Sequence, residues 1–112
     1  PLRLVGSEMC IRDRLVRLEG ELDQCSASGI RRDIDALLQD PSVRHLVLDM
    51  ERMPFMDSSG IGVVLGRYRL LCLRGGSVAL MHLTPQVRRI YDLSGMAQII
   101  PVIEEKEAQG CN

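Results

Sequence analysis

Few side chains in this sequence are equipped for chemistry: two histidines, four cysteines, and a serine pair set between an aspartate and a glycine. The pair lies in Phe55-Met56-Asp57-Ser58-Ser59-Gly60-Ile61-Gly62. A serine hydroxyl attacks a substrate when a neighbouring base takes its proton, or it accepts a phosphoryl group from another protein. The first role needs a histidine and an aspartate in line with it. His45 opens one apolar run and His82 nearly ends another, so each reads as a strand-end residue. Asp-Ser-Ser-Gly also differs from the Gly-x-Ser-x-Gly elbow that exposes a hydrolase serine. A serine hydrolase is therefore a minor alternative, and the chain is expected to catalyse nothing itself.

The second role fits the local sequence. Asp57 stands directly before a helical run and is a favoured N-cap, its carboxylate able to accept from free N–H groups of the first turn. Ser58 then takes the first helical position with its hydroxyl toward solvent, where the helix end carries partial positive charge. Phosphorylation would add about −1.5 to −2 charge there. The helix end tolerates that charge and Asp57 opposes it, so the expected result is altered surface charge on an intact fold. On these four residues alone, a plain helix-start serine is the simpler reading. Gly60, Gly62 and Gly66 follow, and each costs a helix about 1 kcal/mol against alanine. Gly62 and Gly66, four apart, share a face that suits close approach of either the chain's own sheet or a docking partner.

No metal or cofactor is expected. Cys10, Cys25, Cys72 and Cys111 show no Cys-x-x-Cys spacing, and the histidines are far apart in sequence. Cys72 lies in an apolar run and reads as a small core residue. No Gly-x-x-x-x-Gly-Lys loop is present to cradle phosphates. A net charge of −1 and an aromatic share of 3% argue against a nucleic-acid partner. No apolar run approaches the roughly 20 residues of a membrane helix. No secretory signal is seen, which makes a cytoplasmic location the default.

The elements that must position the serine follow from periodicity. A chain of 112 residues suits one domain. Residues 15–18 read as a strand ending at Gly20, and residues 25–39 as an amphipathic helix capped by Asp23 or Ser26. A continuously apolar strand over 44–50 resembles one buried on both faces. A helix is expected from Ser58 to Arg74, stopping at Gly75-Gly76, then a strand over 77–83. Thr84 should cap a third helix over 86–93, with Pro85 in its first turn. Residues 99–102 read as a last short strand and 104–109 as the remnant of a helix. This alternation implies an α/β domain with helices packed on a small sheet. Residues 1–14 do not fit the pattern and are set apart as an atypical segment, read either as an artefact or as a degenerate edge strand. The domain proper is taken as 15–112.

Residues 55–68 are similar to the signature of the STAS family, and within it to the anti-sigma factor antagonists of sporulating bacteria. Leu18-Glu19-Gly20-Glu21-Leu22-Asp23, Arg44-His45-Leu46-Val47-Leu48-Asp49 and Val87-Arg88-Arg89-Ile90-Tyr91-Asp92-Leu93-Ser94-Gly95 fit in order. The resemblance covers about residues 15–105. It implies a STAS fold, a small mixed β-sheet packed by α-helices, and a function by partner switching. The unphosphorylated antagonist would bind an anti-sigma factor that is also a serine kinase, freeing a sporulation sigma factor. Phosphorylation at Ser58 would release it, and a PP2C-type phosphatase would restore it. Asp23, Asp57, Ser59, Gly60 and Gly62 would form the docking surface, although Asp23 serves equally as a helix cap. Arg67 and Tyr68 read as rim contacts or, more simply, as solvated face. The same fold in a general-stress sigma pathway is the alternative.

Overall fold

The computed structural model describes residues 2–9 and 12–103. Four strands, β1 (Arg3–Met9), β2 (Asp13–Glu19), β3 (His45–Arg52) and β4 (Ser77–Met81), form one sheet in the order β1-β2-β3-β4. β1 runs antiparallel to β2, with its register shifted between Leu4 and Gly6, while β2, β3 and β4 are parallel. The sheet is therefore mixed. β2 starts at Asp13, inside the segment set apart by sequence, and Arg3–Met9 supply the edge strand.

Three helices connect and follow the parallel strands: α1 (Ala27–Leu37), α2 (Ser58–Leu73) and α3 (Pro85–Leu93). A side chain in a strand alternates between faces, and the register aligns Val16, Leu48 and Leu80 in one row. All three are fully buried, together with Ile30 and Ile34 of α1, Val64 and Leu71 of α2, and Val87 of α3. Burying such side chains contributes about 1.5–3 kcal/mol each before entropy is counted. The opposite face is less completely covered: His45 and Val47 are half-buried, although the run over 44–50 reads as buried on both faces.

Helix α2 stops where glycine permits. Gly75 adopts φ +76°, and a Cβ on Gly76 would fall on the Arg44 backbone. The Arg74 guanidinium donates to the carbonyls of Leu38, at 2.7 Å, and Val43, at 3.1 Å, tying the end of α2 to the α1–β3 turn. Two expectations need correction. Residues 99–102 form no strand: Met96–Gln98 is a 3-10 turn, and only Val102 makes an isolated bridge, to Leu80. Cys72 is exposed rather than buried in the core. The helix expected over 104–109, Cys10 and Cys111 lie outside the described residues.

Candidate functional site

The carboxyl ends of the three parallel strands lead into three connections, and these meet around residues 53–58. In open α/β sheets this is where functional groups gather. The chain after β2 stays paired with the chain after β3 beyond the strands themselves. Gly20 N–H donates to the Arg52 carbonyl at 3.1 Å, Leu22 N–H to Phe55 at 3.0 Å, and Asp57 N–H to Leu22 at 3.1 Å. This ladder puts Asp23 alongside the Asp57-Ser58 junction. The two segments singled out by sequence, thirty-odd residues apart, thus become one surface.

At that junction Asp57 is extended, with φ −111° and ψ −167°, and its Oδ1 accepts from Ser59 N–H at 2.8 Å. Its carbonyl accepts from Gly60 N–H at 3.0 Å, which starts the helical ladder. The cap leaves Ser58 at the first helical position, exposed, with no hydrogen bond to its side chain among the described residues. Ser59 is half-buried, and Gly62 is exposed with open space where a side chain would stand. Gly60 differs: it is buried, and a Cβ there would meet the Met56 side chain and Leu22 Cδ2. Gly60 therefore supports the surface from beneath, while Ser58 and Gly62 present it. The space around Gly62 and Gly66 shows that neither is needed for packing against the sheet.

Asp23 does cap, though not as the residue next to α1. Its Oδ1 accepts from Cys25 N–H at 2.9 Å and Ser26 N–H at 3.0 Å, and Ser26 Oγ donates to the Glu21 carbonyl at 2.8 Å. The turn over 21–26 is thereby fixed, and Asp23 stays half-buried at its rim. Arg67 is neither rim nor solvated. Its side chain is only 12% exposed and its Nε lies 3.1 Å from Asp35 Oδ1 of α1, which joins the two helices. Tyr68 is half-buried, and the Cys72 side chain one turn on holds its phenol above the ordinary value.

Sequence reasoning missed what three residues do. Phe55, the one phenylalanine in the chain, is 38% exposed beside the junction. Thr84 precedes α3 but makes no side-chain cap; its hydroxyl donates to the Met53 carbonyl at 2.8 Å. Gln86 brackets Met56, accepting from its N–H at 2.9 Å and donating to its carbonyl at 3.1 Å. Nothing local in Thr-Pro-Gln announces these contacts, because both bridge about thirty residues.

A model of the STAS domain matches residues 7–109. The chain belongs to the STAS domain family. An anti-sigma F factor antagonist of Paenibacillus polymyxa is 40% identical over 92 residues, which is 82% of this chain and 79% of that one. The unphosphorylated form of the anti-sigma factor antagonist SpoIIAA superposes with a TM-score of 0.79 at 36% identity, covering 92% of this chain and 90% of that one. The phosphorylated form of the Bacillus SpoIIAA gives 0.70 at 35% identity, covering 92% and 94%. This STAS chain therefore falls among antagonists that regulate rather than catalyse.

The histidines of this STAS domain are engaged elsewhere. His45 Nδ1 lies 2.9 Å from Ser77 Oγ, and His82 Nδ1 lies 3.0 Å from Asp49 Oδ1. Asp49, Glu51 and His82 place one ligand atom each within 4.8 Å of one another. Arg17 Nε at 3.8 Å from Asp49 Oδ2 already opposes that carboxylate's charge, which disfavours a cation there. Among the described residues no helix is long and apolar enough to cross a membrane.

Proposed function

We propose that the chain is an anti-sigma factor antagonist whose unphosphorylated form docks on an anti-sigma factor with serine kinase activity, and that Ser58 is the phosphoacceptor. Docking would free a sporulation sigma factor; phosphorylation would end it; a PP2C-type phosphatase would restore the docking form. The observation that carries this reading is the exposed Ser58 hydroxyl at the first position of α2, unengaged among the described residues and next to a carboxylate already used as the cap. A kinase can reach such a hydroxyl without unfolding anything. Phosphate adds about −1.5 to −2 charge. The N–H groups at the helix start accommodate it, whereas Asp57 beside it and Asp23 on the paired segment carry charge of the same sign. The fold survives and the docking surface turns strongly negative.

The sporulation assignment is supported by the likeness to an anti-sigma F factor antagonist and to SpoIIAA in both phosphorylation states. Asp23, Asp57, Ser59, Gly60 and Gly62 form the docking surface in this reading, with Gly60 acting through the packing beneath it. The setting we infer is the cytoplasm. Phosphorylation by the cognate kinase followed by fragment mass spectrometry tests the site: the phosphate is expected on Ser58, and its appearance on Ser59 would sink the assignment. Ser58→Ala is expected to bind the kinase persistently, and Ser58→Asp to bind weakly while remaining folded. Equal binding by Ser58→Asp and the unmodified protein would rule out charge repulsion.

A further inference from the structure

Beyond β4 the sheet ends, yet the segment leading to Ser58 is still held from that side. Leu22 satisfies one edge of residues 55–57, taking the Asp57 N–H and giving its own N–H to Phe55. The Met56 N–H and carbonyl point the other way, where the strand β4, which stops at Met81, no longer reaches. The Gln86 carboxamide takes that place. Its Oε1 accepts from Met56 N–H and its Nε2 donates to the Met56 carbonyl, so one side chain mimics one residue of a pairing strand. Met56 is fully buried, so water does not readily replace those bonds.

We propose that Gln86 is a positioning residue for the switch: it fixes the backbone two residues before Ser58, and thereby the docking conformation of the Asp57-Ser58 junction. This rests on the function proposed above. The primary carboxamide offers a donor and an acceptor side by side, matched to a backbone N–H and carbonyl. Glutamate keeps the length and the acceptor, but when ionised it sets a carboxylate oxygen against the Met56 carbonyl. Methionine keeps the bulk and loses both bonds. Thr84 supplies the control, because its bond holds Met53, five residues ahead of Ser58.

The test uses the full chain and Gln86→Glu, Gln86→Met and Thr84→Val variants, with the purified anti-sigma F factor of Paenibacillus polymyxa as probe. Folded state is checked by circular dichroism, and binding is measured well below each melting temperature. Amide exchange at Met56–Gly60 is followed by NMR. Loosening the junction is expected to weaken binding about tenfold in both Gln86 variants, with faster exchange at those amides and unchanged exchange in β3. Thr84→Val is expected to lower the melting temperature yet bind within about twofold of the unmodified protein. Folded Gln86 variants that bind as the unmodified protein does, or exchange as slowly at Met56–Gly60, would overturn the proposal. Failure of the unmodified protein to bind would instead count against the proposed function, and the exchange result would then decide the positioning role alone.

Discussion

A capping carboxylate beside the proposed phosphoacceptor serves two ends that can be separated by substitution. Asp57 satisfies the Ser59 N–H through Oδ1, and it also places a negative charge next to Ser58. Asparagine caps a helix as well as aspartate does, and alanine does not. Asp57→Ala is therefore expected to cost about 1 kcal/mol of stability, whereas Asp57→Asn should change it by no more than a few tenths. Urea denaturation of the two variants measures the difference directly. If the charge matters to docking, Asp57→Asn will alter affinity for the proposed kinase partner while the urea midpoint stays in place. Equal losses of stability in both variants would show that the carboxylate does more than cap.

At the scale of elements, the start of α2 carries glycines with opposite roles. A Cβ on Gly60 meets Met56 Sδ at 2.8 Å and Leu22 Cδ2 at 2.9 Å, and both neighbours are fully buried. Gly60→Ala is expected to destabilise by about 1–3 kcal/mol, as overpacking does. Gly62 meets nothing within 4 Å. Gly62→Ala should therefore stabilise the helix by about 0.5–1 kcal/mol, visible as a higher melting temperature. If Gly62 faces the proposed kinase partner, that same variant will bind it less well despite being more stable. The cap, the helix that follows it and its glycine stop were legible in the sequence because each depends on neighbouring residues. The Gln86 clamp and the Arg67–Asp35 pair were not, because each joins residues from different elements. Residues 99–102 misled for another reason: Ile-Ile-Pro-Val has the apolar composition of a strand, but only Val102 finds a bridge partner. Arg3–Met9 form an edge strand although their sequence alternates poorly, since pairing with β2 supplies the order that the pattern lacks.

Across the whole molecule, two exposed carboxylates are held by neighbouring donors, and this predicts a response to acid. Arg3 of β1 donates from Nε, at 3.1 Å, and Nη2, at 2.8 Å, to Glu19 Oε1 of β2, and Arg52 of β3 lies 3.8 Å from the other oxygen. The hydrogen bond from Arg3 leads in holding the Glu19 carboxyl below its ordinary value of 4.5. Asp40, in the turn before β3, is likewise held below 3.8, chiefly by the Ser42 hydroxyl and N–H. A carboxyl whose value falls on folding stabilises the folded state above its unfolded value, and that contribution is lost as pH falls through the folded value. The urea midpoint is therefore expected to hold from neutral pH to about pH 5 and to decline below it. Both groups are exposed, so salt should shrink the effect. Glu19→Gln removes one of these two held carboxyls and should flatten part of the decline while leaving Asp40's share. An acid profile that superimposes on that of the unmodified protein would show that the Arg3–Glu19 pair does not anchor the edge strand.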